Sequence, residues 1–151
     1  MPDRFLEKRA TRSETATHFK RTGFGLITFS NNQPDAILLR GAQDRLSVLM
    51  QLAGMAAGSP VRFTPGSAAS IQTVGTQEAE VWLFTVEAEE TIQVPAGRTQ
   101  TLRVVRQARK EFDPRLEVWL APAVGYLPIR IKQTEQNGNV FDLQLRSPAL
   151  P

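Results

Sequence analysis

Glu78, Glu80, Glu87, Glu89 and Glu90 crowd one stretch of the chain, and crowded carboxylates supply both acid–base chemistry and divalent-cation binding. On an extended strand Glu87 and Glu89 share a face, the arrangement a paired acid or a cation site requires. A carboxylate-based hydrolase using Glu87 or Glu89 would need two acids about 5–9.5 Å apart across a cleft. Solvated charge where residues 86–92 turn or bulge is the simpler reading. Further along, Arg103, Arg106, Arg109, Lys110 and Arg115 stand in sequence against Glu111, Asp113 and Glu117. Ion pairs between strands over 101–109 and 115–121 account for them, each worth less than about 1 kcal/mol when exposed.

The rest of the chemical inventory is thin. His18 is the only histidine, with no serine, carboxylate or second histidine at a useful spacing, so the spacing predicts an ordinary surface or edge position. Ser30 and Ser47 lack the Gly-x-Ser-x-Gly setting of a hydrolase nucleophile. The glycines form no phosphate-cradling loop, and neither nucleotide-cofactor motif occurs. The chain has no cysteine, which excludes disulfides, thiolate metal ligands and a cysteine nucleophile. The expectation is therefore a non-enzymatic protein, with no cofactor, no metal and no catalytic residue.

Composition narrows the partners. Eighteen basic against fifteen acidic side chains give a net charge of +3. The densest basic stretch, Arg4 with Lys8, Arg9 and Arg12, is interrupted by Glu7 and followed by Glu14, which argues against nucleic-acid binding. No apolar run approaches the roughly 18 residues of a membrane span. The opening Met1-Pro2-Asp3-Arg4-Phe5 lacks the pattern of an export leader, so a genuine start at Met1 predicts a cytoplasmic product. At 151 residues, without repeat or linker, residues 1–151 read as a single domain.

Alternation predicts mostly strand. Weak strands are expected over 4–9 and 13–20, a better one over 24–29, and a loop from Asn31 to about Gly41. One helix is expected over 44–57, started by Asp44 or Gln43 and ended by Gly58 and Pro60. Leu46, Leu49, Met50, Ala53 and Ala57 form its apolar stripe, the first four packing on a sheet. Strands follow over 68–75, 79–88, 90–94, 98–109, 116–121, 128–135 and 140–146. In 79–88 both faces are apolar (Trp82, Phe84, Val86 and Ala88 against Val81, Leu83 and Thr85), which predicts cover on both sides. Asn137-Gly138 fits both central positions of a type I′ turn, and Phe141, Leu143 and Leu145 are expected on the dry side of that hairpin.

Three stretches carry a resemblance: Gly41-Ala42-Gln43-Asp44-Arg45-Leu46-Ser47-Val48-Leu49; Val94-Pro95-Ala96-Gly97 with Thr101-Leu102; and Glu117-Val118-Trp119-Leu120-Ala121-Pro122 through Gly125-Tyr126-Leu127-Pro128-Ile129-Arg130-Ile131 to Leu143-Gln144-Leu145. Together they resemble the C-terminal part of an uncharacterised family of proteobacterial envelope proteins, a domain of unknown function. That family is grouped by fold with the periplasmic lipoprotein carriers LolA and LolB. The resemblance implies an α+β fold: a curved, mostly antiparallel sheet, an incomplete barrel, with one main helix packed against it.

It also implies a periplasmic location and an envelope-associated role, structural or partner-binding. The alternative it implies is carriage of a lipid or lipoprotein acyl chain in the concave face of the sheet. Leu46, Met50, Trp82, Phe84, Trp119 and Tyr126 are the residues expected to line such a ligand site. The run through Pro122 and Pro128 also has a purely structural account, with Gly125 in a left-handed turn and Tyr126 closing the end of the barrel. The partners implied are a lipid or an envelope protein. Because strand-like sequence opens at Phe5, the chain is further expected to be the C-terminal part of a longer fold. A missing strand would leave an unpaired edge open to self-association unless charged residues such as Lys8, Arg9 and Arg12 protect it.

Overall fold

The computed structural model describes residues 1–8, 10 and 13–147. Arg9 and Arg12, expected to guard an edge, lie outside the described residues. The described chain is α+β and mostly antiparallel, with one α-helix. It divides into two compact units: Met1–Val48 with Ile71–Trp82, and Leu49–Ser70 with the chain from Leu83 onward.

In the first unit, β1 (Arg4–Glu7), β2 (Thr15–Lys20), β3 (Leu26–Phe29) and β4 (Ala36–Ile37) form an antiparallel meander in chain order. β4 falls inside the stretch expected to be loop. β1 and β4 are its edges. Phe19, Ile27, Ala42 and Val74 make the core of this unit, with Phe5, Phe29 and Leu38 packed around them. The short strand β5 (Gln43–Asp44) runs parallel to the end of β6 (Ala68–Val74).

Helix α1 spans Ser47–Gly58. Asp44 is its cap: its Oδ1 accepts the N–H of Leu46 at 2.8 Å and of Ser47 at 2.9 Å, and its own N–H donates to Ser47 Oγ at 3.1 Å. This reciprocal pair is a capping box. The buried stripe is Val48, Leu52, Ala53 and Ala56, not the one anticipated. Leu46 and Met50 are 74% and 56% exposed, and Ala57 is exposed. No charged residue occurs between Ser47 and Gly58, so no polar face marks which side turns to water.

The second unit is an open, curved antiparallel sheet with α1 packed on it. Its strands run in the order β11 (Val140–Gln144), β10 (Leu127–Thr134), β9 (Arg115–Ala121), β8 (Gly97–Arg106) and β7 (Ala79–Val94). β7 is one continuous strand where two were expected, and of the turn or bulge anticipated over 86–92 the structure has the bulge, at Glu87. That extra residue reverses the alternation. Before it, Phe84 and Val86 are buried; beyond it, Val94 is buried from the opposite face while Thr91 and Gln93 are exposed. Cover on both sides of 79–88 is not found, since Val81 and Leu83 are exposed.

The tip of the β7–β8 hairpin reaches the far end of the sheet. Ala96 donates its N–H to the Leu145 carbonyl at 3.0 Å, and Val94 and Ala96 pack with Trp119, Ala121 and Ile129. A first strand can touch the fifth only if the sheet rolls toward the face whose side chains meet, here the Trp119 face. At the other hairpin the turn differs from the type I′ expectation. Gly138 N–H donates to Glu135 O at 3.0 Å, Glu135 N–H donates to Asn139 O at 2.8 Å, and only Gly138 has positive φ, at 87°. This is a turn of type I geometry with a glycine bulge, which asks for one left-handed residue instead of two. Asn137 instead spends its side chain, Oδ1 accepting the Asn139 N–H at 2.9 Å.

Candidate functional site

Three places in the molecule collect chemistry. The first is the Trp119 face of the second unit. Arg103, central on β8, lies 3.1 Å from Glu87, 3.8 Å from Glu90 and 3.8 Å from Glu117. The bulge brings Glu87 to this face. Glu89 sits opposite Leu102, so the structure joins Glu87 with Glu90 and not with Glu89. Arg115 reaches Glu117 at 3.4 Å and Glu87 at 3.8 Å. Trp119 Nε1–H donates to Glu90 Oε1 at 2.6 Å, and the Arg130 guanidinium lies 4.8 Å over the Trp119 ring. Arg130 in turn grips Asp142 with two bonds of 2.9 and 2.7 Å.

The hydrogen bond to Asp142 raises the Arg130 pKa, outweighing its partial burial. The same bond holds the Asp142 carboxyl below the usual carboxylate range. Charge here is matched side by side, an arrangement suited to fixing Trp119 and bracing the roll.

On the opposite face of the same strand, Arg106 is almost wholly buried and lies 3.2 Å from Asp113 Oδ2. That oxygen also accepts the N–H groups of Arg109 at 3.0 Å and Lys110 at 3.2 Å. Burial pushes the Asp113 carboxyl up, but these bonds and the nearby cations outweigh it and leave it below its ordinary value. Of the anticipated ion pairs between these strands, Arg103–Glu117 is present, while Arg106 pairs with Asp113 in the loop that joins them.

The second place is the edge strand β11. Every one of its residues is exposed, with Phe141 at 59% and Leu143 at 66%, so the dry side expected there is uncovered. Only Leu145, beyond the strand, packs on the core. Leu143 pairs with Ile131 and Phe141 with Gln133 on β10. Because Leu145 N–H donates inward to Ile129 O, alternation turns the main-chain groups of Val140, Asp142 and Gln144 outward.

The third is a polar cleft of about 420 Å³ in the first unit, lined by Glu7, Ser13, Thr15, Arg45, Thr76, Gln77 and Glu78. Thr76 Oγ1–H donates to Glu7 at 3.2 Å, and Arg45 lies 3.8 Å from Glu78. Its walls come from three separated stretches of sequence, and no spacing announces them. Among the described residues no cluster of His, Asp or Glu fit to hold a metal ion occurs, and no helix is long and apolar enough to cross a membrane.

Of the six residues expected to line an apolar ligand, Leu46 and Trp82 belong to the first unit and Met50, Phe84, Trp119 and Tyr126 to the second. Trp82, Phe84 and Trp119 are buried, Tyr126 is half-buried at positive φ after Gly125, and Leu46 and Met50 are exposed. The ladder Phe84–Arg106–Leu116 places Phe84 on one face of the sheet, and Trp119, three residues beyond Leu116, on the other. His18 is exposed on β2.

Residues 9–145 match the model of a family described as proteins of unknown function, DUF3108. The chain belongs to this family. No curated protein and no solved structure matches it. DUF3108 membership covers both units and every residue of the charged Trp119 face, so that face and the β11 edge are parts of the family domain itself.

Proposed function

We propose that this protein is a non-enzymatic, envelope-associated binding module that engages a protein partner by strand addition at β11. The observation that carries this reading is the exposed edge: main-chain groups of Val140, Asp142 and Gln144 turned outward beside uncovered Phe141 and Leu143. An extended segment pairing there gains hydrogen bonds from its backbone and specificity from side chains set against Phe141 and Leu143. Edge strands left this apolar are usually guarded by charge or proline.

The resemblance to envelope proteins supports a periplasmic setting, and the rolled, open sheet of the second unit supports kinship with LolA and LolB. Acyl-chain carriage is the weaker reading, because the inside of the roll is filled by Trp119 and its neighbours at one end and lined by ion pairs elsewhere. The non-enzymatic reading is supported by Glu87, Glu90 and Glu117, which all converge on Arg103.

A photo-crosslinking amino acid in place of Gln144, in the full chain in its native cells, tests this. A defined protein adduct is expected from position 144, absent from exposed Gln100 and lost in Leu143→Lys. Equal labelling from both positions, or adducts untouched by Leu143→Lys, would overturn it. Tight uptake of a fluorescent fatty acid by the purified chain would favour carriage.

A further inference from the structure

The first unit holds an exposed apolar patch of a different shape. The β2–β3 turn carries Phe24 between Gly23 and Gly25, both at φ 67°, a left-handed conformation that glycine adopts freely. Gly25 N–H donates to Thr22 O at 3.4 Å and Leu38 N–H donates to Gly25 O at 3.1 Å, so the turn is braced against the strand beside it. A Cβ at Gly25 would meet Leu38 Cβ at 3.3 Å. The result is a phenylalanine ring wholly in solvent on a fixed, convex tip. Leu26 and Ile37 face each other across the β3–β4 ladder immediately behind it, Leu39 follows, and all three are exposed.

The charge around this tip is biased. Lys20 lies opposite Leu26 on β2, and Arg21 and Arg40 are exposed beside the patch. Arg4 lies on the same face, opposite His18. The acids nearby are Asp3, which lies 3.7 Å from Arg21, and Asp35 before β4. Cations exceed acids at an apolar tip.

We propose that the Gly23–Phe24–Gly25 turn and the β3–β4 edge behind it insert into the interface of an anionic lipid bilayer. Aromatic and aliphatic side chains sit at the boundary of headgroup and acyl chain, while the basic rim meets lipid phosphates. A convex tip suits this occupant, since a fluid interface deforms around a protruding ring and a protein partner must offer a matching pocket. The inference concerns the first unit alone and does not depend on the role of β11.

The experiment is sedimentation of the full chain with vesicles of phosphatidylcholine, with and without phosphatidylglycerol. Binding to the anionic vesicles is expected, weakened by salt and reduced on the order of tenfold in Phe24→Ser. Lys20→Glu with Arg40→Glu should lower binding to anionic vesicles, and Gln100→Ala, at an exposed position away from the tip, should leave it unchanged. Because the chain has no cysteine, Phe24→Cys and Gln100→Cys can each carry one polarity-sensitive fluorophore. Vesicles should shift emission to the blue only for the position-24 label. The proposal is overturned if wild type ignores both vesicles, if Phe24→Ser binds equally well, or if the position-24 label shifts equally on concentration without lipid, which would mean a protein contact. Thermal unfolding of each variant at the wild-type temperature keeps these outcomes interpretable.

Discussion

Arg103 and Arg106 stand three residues apart on β8, on opposite faces, and do different work. Arg106 is buried beside Asp113, whose carboxylate also ties down the backbone of Arg109 and Lys110. Arg103 is part-exposed and divides its charge among Glu87 and Glu90, which water also reaches, and the largely buried Glu117. One residue type on one strand thus serves as a loop clamp on the dry side and as the hub of a solvated network on the other. Burial, not the count of ion pairs, decides which of the two the fold depends on.

The sharpest break of that contrast is Asp113→Ala, which removes the loop acceptor and the carboxylate beside a buried guanidinium. Urea unfolding should show a loss of about 3 kcal/mol. A loss under about 1 kcal/mol would make the two arginines equivalent. Acid should act through the same group. The Asp113 carboxyl is held below its ordinary value, so its contribution is complete above that value and disappears as pH falls through the lower, folded one. The stability gap between wild type and Asp113→Asn, measured by urea melts from about pH 6 down to about pH 2, should therefore narrow toward acid. A gap that widened would reverse the assignment. The smallest effect belongs to Arg103→Met. Glu87 and Glu90 keep access to water, and Arg115 stays beside Glu87 and the largely buried Glu117, so a loss of about 1 kcal/mol is expected, shrinking in high salt.

Much of this architecture was legible in the chain. Most strand positions followed from alternation, though β4 and β5 did not, and the β7–β8 turn followed from Pro95-Ala96-Gly97. Asp44 was legible as the helix cap, while the helix itself starts at Ser47 and Asp44 pairs in β5. What alternation could not report is whether an apolar face is covered. Phe141 and Leu143 alternate as core residues do and lie in solvent. A single bulge at Glu87 re-sorted the glutamates: a turn or bulge was legible over 86–92, but which of the two, and at which residue, was not, and one extra residue reverses every later side chain. The helix face was ambiguous for want of charge. Phe24 did carry a signal, an aromatic between two glycines at a strand junction, but its exposure became plain only with the turn in place.

The bond from Ala96 to the Leu145 carbonyl has a consequence for how the chain is made. The β7–β8 hairpin can form early, from neighbours in sequence, yet its tip finds its seat only once Leu145 has been synthesised. During translation that tip, with Val94 and Ala96, waits unsatisfied for Leu145 to arrive. The second unit therefore locks late, and a nascent chain halted before β11 would present open hairpins to any chaperone within reach.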